Sequence, residues 1–447
     1  MTTSIEGPLT LRDLAEGRAR DTSSVTSKPY WWEAAPRRET PGRTLPSKTD
    51  VAIVGSGFTG LSAALTLLDK GRDVAVLDRG APGYGASTRN GGQIGSGNQK
   101  FLAKRLIELH GEKKAAALLR EGTRMLDYIE HLIASETIDC HFHRCGRFRG
   151  AVRPEHYEAM ARDMEDLKRV AGVESFMVPR AEQLTEIGSE IFHGGSVLPS
   201  DAALHPALFH SGLMRRVEDR GGAIIGNAGV HRIARDRNGF RLDTDAGPIH
   251  CRDVLVATNG YTDSLMRTVQ RRIVTVRSGL IATAALPPEV MTRLMPKARV
   301  YGNTNRVFYY FRAAPDESRL VWGGRAGRAS RIAAFGHLAE NLLSVFPDLG
   351  GTAVTHAWDG QIGYTYDELP HLGRMADGVH YAVGYCGTGV SRATYFGHKI
   401  ALQITGDPEG RTAFDSLRFP AFPSRAVAQM AAPVVEAWYR FRDSTNL

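Results

Sequence analysis

The stretch VAIVGSGFTGLSAALTLLDKGRDVAVLDRG, residues 51–80, decides the fold of this chain. Residues 51–54 form an apolar run of buried-strand length, three glycines follow at once, and apolar residues then recur at helical spacing until Gly71. A second apolar run, residues 74–77, ends on Asp78. This order predicts a strand, a glycine turn, a helix and a second parallel strand, which is the βαβ unit to which dinucleotides bind.

The spacing of the three glycines fits the binding of a diphosphate at the start of the helix. Gly55 allows a tight turn, Gly57 lets the backbone approach the diphosphate, and Gly60 lets the helix pack closely on the strand. Free N–H groups and the helix dipole then favour the anion. Asp78, 18 residues beyond Gly60, stands where a carboxylate can bind a ribose. We predict a dinucleotide site; the alternative is an ordinary βαβ unit with a glycine-rich turn.

The loop after Asp78 favours FAD over a nicotinamide cofactor. Residues 79–97, RGAPGYGASTRNGGQIGSG, are rich in glycine and small polar side chains, which suit a loop laid along an extended cofactor. A nicotinamide-binding enzyme would normally continue directly into another helix. The sequence therefore indicates FAD.

Composition restricts the class of protein. At 447 residues the chain exceeds the size of a single core, about 250 to 300 residues, so we expect two joined domains. The net charge of +8 comes from scattered arginines rather than from a basic stripe, so no nucleic acid partner is expected. No signal-peptide pattern and no apolar run of about 18 residues occur, so we expect a cytoplasmic protein with no membrane span.

The four cysteines predict thiols rather than disulfides or a metal site. They are too few for a disulfide framework in a chain of this length, which fits a reducing compartment. The segment CHFHRC, residues 140–145, contains metal-ligand side chains, but no second ligand pair follows at a zinc-like spacing. No metal is expected.

Four motifs resemble the D-amino-acid oxidase superfamily of FAD-dependent amine oxidoreductases, and within it the gamma-glutamylputrescine oxidase group. Besides the stretch around Gly55, they are GYGASTRNGGQ at 83–93, ATNGYT at 257–262, GYCGTGVSRAT at 384–394 and the aromatic segment KPYWWEAAPR at 28–37. The resemblance covers roughly residues 28–410.

The resemblance implies an α/β fold in which a Rossmann-like FAD-binding domain is interleaved with a substrate domain built on an antiparallel sheet. The sequence agrees, because residues 204–260 resemble a helix followed by short strands, and 271–286 and 306–324 alternate like strands. The expected ranges of the FAD-binding domain are 45–140, 194–262 and 351–447, the last with C-terminal helices. Those of the substrate domain are 141–193 and 263–350.

The resemblance also implies which residues bind the cofactor. From the first βαβ unit they are Gly55, Ser56, Gly57, Phe58, Thr59, Gly60, Asp78 and Arg79; from the following loop, Ala86, Ser87, Arg89, Asn90, Gly91, Gly92 and Gln93; beneath the cofactor, Val230, Thr258, Asn259 and Gly260; and at the flavin ring, Gly387, Thr388 and Gly389. Thr388 stands where the family commonly has histidine. We expect FAD to be non-covalent, since residues 356–374, the region where sarcosine-type relatives attach their flavin, contain no cysteine.

The implied chemistry is oxidation of an amine C–N bond to an imine with hydride transfer to flavin N5. Trp358, Tyr364 and Tyr366 are candidates for the substrate pocket, since they and nearby carboxylates could receive a cationic amine. A general base and catalytic residues are not identified. These side chains either pack within a strand or line the substrate pocket.

Two alternatives remain open at this point. Sarcosine-type relatives use a lysine near the flavin to activate oxygen, and this chain has no lysine between Lys297 and Lys399, so the acceptor is oxygen or another electron acceptor. The enzyme would then be an oxidase or a dehydrogenase. A third reading is a flavin-binding subunit of a larger complex.

Overall fold

The structure is a computed structural model that describes residues 7–18, 22–37, 44–96, 103–326 and 332–445. Its strands are β1 (Lys48–Val54), β2 (Val74–Leu77), β3 (Gln93–Ile94), β4 (Arg147–Gly150), β5 (Phe176–Val178), β6 (Gly195–Leu198), β7 (Ala202–Ala203), β8 (Ala223–Ile225), β9 (Val230–Asp236), β10 (Gly239–Thr244), β11 (Gly247–Val256), β12 (Ile273–Thr283), β13 (Val300–Asn303), β14 (Tyr310–Ala313), β15 (Leu320–Arg325), β16 (Val354–Thr365), β17 (His371–Arg374) and β18 (His380–Val383).

The α-helices lie between some of these strands and near both ends of the described chain. They are α1 (Leu11–Ala15), α2 (Phe58–Asp69), α3 (Ala103–His110), α4 (Glu112–Ser135), α5 (Pro154–Ala171), α6 (Pro206–Asp219), α7 (Arg267–Gln270), α8 (Pro288–Leu294), α9 (Gly336–Val345), α10 (Gly389–Thr405) and α11 (Arg425–Thr445).

The first sheet is built around the glycine-rich stretch. Its strand order is β17-β18-β11-β1-β2-β8, with β10 and β9 continuing from β11. β1 runs parallel to β2 and to β11, and β11 runs parallel to β18. β1, α2 and β2 therefore form the βαβ unit that the sequence predicts, and the expected α/β fold class is confirmed.

Helices α2 and α10 cover one face of this sheet and approach each other closely. The apolar residues of α2, α4, α6 and α10 form one continuous buried cluster with those of β1 and β2. At Gly397 in α10, an added Cβ would lie 2.3 Å from the carbonyl oxygen of Thr59. The two helices can lie this close only because residue 397 has no side chain.

The second sheet is largely antiparallel. Its order is β16-β12-β15-β14-β13-β4-β6-β5, and its longest pairing joins β12 to β16. Tyr301, Phe311 and Trp322 stack on neighbouring strands, with ring centroids 5.1 and 3.8 Å apart. The stack fills the layer between this sheet and α9, which holds Phe346 against it.

The chain crosses between the sheets several times. The helix predicted from residues 154–171 is α5, and the strands predicted within 271–286 and 306–324 are β12, β14 and β15. β6 and β16 both belong to the second sheet, although they lie within the ranges 194–262 and 351–447 that we expected for the FAD-binding domain. The domain ranges themselves stay a prediction.

Three features bear on partners and metals. Cys140, Cys251 and Cys386 are buried and free, and Cys145 is a half-buried free thiol. Within the described residues, no group of three or more His, Cys, Asp or Glu side chains is arranged to hold a metal ion. In the same part of the chain, every helix is too short or too polar to cross a membrane.

The contact at Gly397 predicts a stability effect. Gly397→Ala should lower the free energy of unfolding by about 1 to 3 kcal/mol, because the methyl group would force α2 and α10 apart. Urea unfolding followed by circular dichroism measures it. Gly351→Ala is the matched control, since a Cβ there meets nothing within 4 Å. Equal stability of both variants would contradict the packing described here.

Candidate cofactor and substrate site

A cavity of about 1770 Å³ lies between the two sheets. It begins at the β1–α2 turn, passes the start of α10, and ends against β12, β15, β16 and α11. Pockets for drug-sized ligands usually have about 300 to 1,000 Å³. The volume and elongated course therefore fit a large cofactor together with a substrate.

The β1–α2 turn has the geometry that a diphosphate requires. Gly55 has a φ of +107°, which only glycine adopts readily, and its N–H donates to the carbonyl of Leu77 at 2.8 Å. A Cβ on Gly60 would lie 2.0 Å from the carbonyl oxygen of Gly55. Gly57 is the N-cap of α2 and supplies no side-chain cap, so the turn presents bare backbone to the cavity. The residues present fit the diphosphate of FAD.

Asp78 is fixed beside this turn. Its carboxylate accepts hydrogen bonds from the Ser56 N–H at 3.0 Å and the Ser56 hydroxyl at 2.5 Å, and from the Gly80 N–H at 3.2 Å. Val230 and Asp245 line the cavity next to it. This end could hold the adenosine half of FAD, with Asp78 accepting from a ribose hydroxyl.

His210, in α6, supports the turn from behind. Its Nε2–H donates to the carbonyl of Ser56 at 2.7 Å, and Arg37 approaches its Nδ1 at 3.4 Å. Burial, helped by the charge of Arg37, lowers the pKa of His210 to about 3. The imidazole is therefore neutral and serves as a fixed donor. No sequence signal pointed to His210, because its partner lies 154 residues away.

Three indole groups donate hydrogen bonds to the loop that follows Asp78. Trp31 donates to the carbonyl of Asn90 at 2.8 Å, Trp32 to the hydroxyl of Thr88 at 2.9 Å, and Trp358 to the carbonyl of Arg89 at 2.9 Å. Two of these donors come from the aromatic segment 28–37 and one from β16. The loop is thereby held between the N-terminal segment and the second sheet.

Two side chains of the same loop, Arg89 and Ser87, make further contacts that fix its position. The guanidinium of Arg89 lies between the rings of Trp32 and Tyr84, 4.8 and 4.4 Å from their centroids. The hydroxyl of Ser87 accepts from the Phe58 N–H at 3.0 Å, at the first turn of α2. The loop is therefore joined to the diphosphate turn itself.

The start of α10 forms the far wall of the cofactor part of the cavity. Gly387 has a φ of +92° and Cys386 a φ of +51°. Thr388 is the N-cap but makes no side-chain capping bond, and the uncapped start of α10, Thr388 to Val390, lines the cavity. Buried Arg392 donates to the carbonyl of Tyr385 at 3.1 Å and fixes the turn, and burial lowers its pKa to about 10, which leaves it charged at neutral pH.

The substrate end is lined by aromatic and cationic side chains. The Arg325 guanidinium lies 4.8 Å from the ring centre of Tyr364. The Tyr364 hydroxyl reaches the glycine turn, 3.3 Å from where a Cβ of Gly387 would be. Tyr310 lies opposite, its hydroxyl 3.1 Å from that of Ser278, and burial raises its pKa to about 12. The phenol of Tyr310 is therefore a neutral hydrogen-bonding group.

The structure separates the predicted site residues into two groups. All of the predicted cofactor residues line the cavity except Gly60, Gly92 and Gly260, which lie in close backbone contacts behind it. Tyr364 and Tyr366 line its substrate end, whereas Trp358 does not: it is 2 % exposed and packs against Trp31. Two nearby carboxylates are already paired, Asp359 with Arg277 and Asp367 with His371.

Sequence reasoning missed the polar network at the other side of the substrate end. Arg147, on β4, donates to Asp201 at 2.6 Å and to the side-chain oxygen of Gln93 at 2.7 Å. Gln93 in turn donates to the carbonyl of Phe311 at 2.9 Å. All but Phe311 line the cavity. The alternation of β4 could have indicated that Arg147 faces one side of the sheet, but not that Gln93 meets it.

The hydrogen bonds that the three indole groups donate to the loop should strengthen the binding of FAD. Trp32→Phe should weaken FAD binding about fivefold, since it removes one hydrogen bond but keeps a ring, and Trp32→Ala about 10- to 50-fold. Fluorescence titration of the apoprotein with FAD measures both. Trp438→Phe is the control, because Trp438 lies on α11 and is 53 % exposed. Unchanged affinity in Trp32→Ala would show that the loop needs no such anchor.

His210 predicts a pH dependence of stability. Because its folded pKa is about 3 against an ordinary 6.5, the unfolded chain binds a proton in that interval that the folded chain does not, and stability falls as the pH drops. His210→Gln keeps a donor for Ser56 but removes this proton. Between pH 6 and 4, the free energy of unfolding should fall less steeply in His210→Gln than in wild type. The two slopes should differ by about 1.4 kcal/mol per pH unit.

Urea unfolding of the apoprotein at a series of pH values makes this comparison. His131→Gln, at an exposed position on α4, is the control and should keep the wild-type slope. Parallel slopes for wild type and His210→Gln would contradict a neutral, buried imidazole.

Comparison with known proteins agrees with this geometry. The family model "DAO: FAD dependent oxidoreductase" matches residues 50–403. The chain is 28% identical over 400 residues to a probable oxidoreductase OrdL of Haemophilus influenzae, and 27% identical over 400 residues to gamma-glutamylputrescine oxidoreductase of Escherichia coli. Each alignment covers 88% of this chain and 92% of the relative.

Solved structures show the same fold. Glycine oxidase from Geobacillus kaustophilus superposes with a TM-score of 0.72 at 20% identity, over 85% of this chain and 99% of that one. L-Proline dehydrogenase from P. horikoshii superposes with a TM-score of 0.70 at 17% identity, over 83% and 96%. With the cavity and the glycine turn described above, these matches establish that the chain belongs to the DAO family of FAD-dependent oxidoreductases, with FAD as its cofactor.

Proposed function

We propose that this enzyme oxidises a C–N bond of a primary or secondary amine to an imine, which hydrolyses to a carbonyl product, in the manner of a gamma-glutamylputrescine oxidase. One observation carries the proposal: a single cavity joins the diphosphate turn at Gly57, the start of α10 at Gly389, and a chamber lined by Tyr310, Arg325 and Tyr364. When bound, FAD supplies the acceptor of a hydride equivalent, its N5 atom.

The start of α10 is suited to stabilise negative charge on the pyrimidine side of the cofactor. The uncapped N-terminus of α10 borders the cavity, and the helix dipole places a partial positive charge there. Arg392 adds a full charge in the same turn. Fixed donors of this kind aid a reaction in which charge develops, because they need not reorganise.

The substrate chamber favours an amine in its neutral form. Asp359 and Asp367 do not line the cavity and are engaged by Arg277 and His371. The adjacent carboxylate Glu368 lines the cavity but has an interaction partner of its own. Val274, Val276 and Leu280 contribute apolar walls. Burial beside such walls and the Arg325 guanidinium disfavours a positive charge. A neutral nitrogen with its lone pair available is the form from which a hydride can leave the adjacent carbon.

Two relatives support an amine as the donor. Gamma-glutamylputrescine oxidoreductase and glycine oxidase, both named for nitrogen compounds, match 88% and 83% of this chain. We further propose that FAD is held without a covalent bond. Cys386, which lines the cavity, directs its thiol to the carbonyl of Gly384 at 3.1 Å, and burial raises its pKa, so it is a poor nucleophile.

A dehydrogenase that uses an acceptor other than oxygen is the second candidate. The absence of lysine between Lys297 and Lys399 favours it, because sarcosine-type relatives use a lysine near the flavin to activate oxygen. Peroxide formation during turnover in air distinguishes the oxidase from the dehydrogenase. Location in the cytoplasm stays a prediction.

Anaerobic mixing of the purified flavoprotein with amines tests the function. A gamma-glutamylated diamine should bleach the oxidised flavin band near about 450 nm, and the rate should rise with pH as the amine loses its proton, whose pKa is about 10. Simple diamines and N-methyl amino acids serve as comparison substrates.

The outcomes separate the alternatives. Bleaching by the chain alone excludes a non-catalytic subunit. Bleaching by a different class of amine, with none by gamma-glutamylated amines, would contradict the subfamily assignment but not the reaction. Bleaching by no amine at all would overturn the proposed function.

A further inference from the structure

Helix α11 forms one wall of the substrate end of the cavity. Six of its residues line the cavity, namely Val427, Ala428, Gln429, Ala431, Val435 and Tyr439. They are mostly small and apolar, and they face open volume rather than a filled core. The helix therefore covers the chamber into which the amine must pass.

The chain is firmly anchored immediately before this helix. Phe419 stacks on His371 with a centroid distance of 4.2 Å, and its carbonyl accepts from Arg272 at 3.0 Å. The Phe422 N–H donates to the carbonyl of Arg271 at 3.2 Å. Pro423 and Ser424 then lead into α11. The backbone contacts of the fixed part thus end at Phe422, two residues before the helix, and Arg425 at the start of α11 adds one side-chain bond, from its Nε to the carbonyl of Ile273 at 3.0 Å.

Gln429, in the second turn of α11, forms hydrogen bonds to β12 of the kind that a neighbouring strand would form. β15 pairs with β12 only from Ser278 onward, so among the described residues no strand adjoins the preceding half of β12 on that side. There the side-chain oxygen of Gln429 accepts from the Thr275 N–H at 3.0 Å, and its amide donates to the Thr275 carbonyl at 2.7 Å. Water can replace both bonds when the helix leaves.

The C-terminal end of α11 is held by polar contacts as well. The carboxylate of Asp443 accepts from the backbone N–H groups of Arg306 and Val307 at 3.2 and 3.0 Å. Arg153 donates to the carbonyls of Arg442 and Asp443. Each such bond contributes little net free energy, since water competes for the same groups.

Little apolar burial adds to these bonds. The outward-facing Met430 and Val434 are each 69 % exposed, and Trp438 is 53 % exposed. The helix therefore buries few large side chains against the body of the protein. An element with few buried apolar contacts and replaceable hydrogen bonds belongs to the low-stability part of a fold, which opens without global unfolding.

We propose that α11 is a hinged cover over the substrate chamber, which swings at Pro423–Ser424 to admit the amine and is latched by Gln429 on the free edge of β12. The identity of what enters rests on the proposed function; the motion does not. Closure places the apolar inner face of α11 over the chamber and excludes water from it.

The test compares Gln429→Ala with Met430→Ala in the FAD-loaded protein. Met430 is the next residue, and its exposed side chain lies outside the latch. Hydrogen–deuterium exchange of the α11 amides should be about tenfold faster in Gln429→Ala than in wild type, because two hydrogen bonds of the closed state are lost. Met430→Ala should match wild type. Amides of α10 are the internal control and should not change.

A second measurement reports access to the chamber. Acrylamide should quench the fluorescence of the bound flavin more strongly in Gln429→Ala, at equal FAD content. Gln429→Glu, which keeps the acceptor for the Thr275 N–H but loses the donor, should lie between wild type and Gln429→Ala in both measurements.

Neither measurement uses a substrate, so failure of the cover and failure of the proposed function are distinguishable. Unchanged α11 exchange and unchanged quenching in Gln429→Ala would overturn the cover, whichever amine the enzyme oxidises. Faster exchange in α10 and α11 alike would overturn it too, since it would mean that Gln429 supports the whole fold. Absence of amine oxidation would leave both results standing.

Discussion

The close approach of α2 to β1 is the constraint on which the rest of the site depends. At Gly60 the helix lies so near the strand that a Cβ would be 2.0 Å from the carbonyl of Gly55, and this distance fixes where the first N–H groups of α2 point. His210 and Ser87 then hold the turn from two sides, one through the carbonyl of Ser56 and the other through the N–H of Phe58. The diphosphate site is thereby rigid before a cofactor arrives, and rigidity lowers the entropic cost of binding.

The same turn is connected to the second sheet through aromatic side chains. Trp31 and Trp32 bind the loop from the N-terminal side and Trp358 from β16, so the loop along the cofactor is shared by both sheets. The cavity that results has one end set by backbone geometry and the other by Arg325, Tyr310 and Tyr364. We therefore propose that the first sheet binds the phosphates and that the second sheet forms the substrate chamber.

Local pattern predicted a large part of this arrangement. The βαβ unit, the helix 154–171 and the strands of 271–324 follow from periodicity and turn residues, which are properties of neighbouring positions. Most predicted cofactor residues line the cavity because a motif fixes its own backbone. Trp358, by contrast, was a pocket candidate and is a buried anchor. Its alternation on β16 gave the face of the sheet but not the partner, Arg89, which lies 269 residues away. The pairing of Asp359 with Arg277 and the position of α11 also depend on contacts between residues far apart in the sequence, so the local pattern did not predict them.

The central claim is that bare backbone at Gly57 holds the diphosphate of FAD. Equilibrium titration of the apoprotein with FAD, comparing wild type with Gly57→Ala, tests it most directly. The added methyl group would lie 2.9 Å from the Ser87 hydroxyl and in the path of the phosphates, so the combined variant Gly57→Ala with Ser87→Ala removes the first contact and leaves the second. Both variants should bind FAD at least about tenfold more weakly than wild type, a change of about 1.4 kcal/mol. Wild-type affinity in the combined variant would contradict the account.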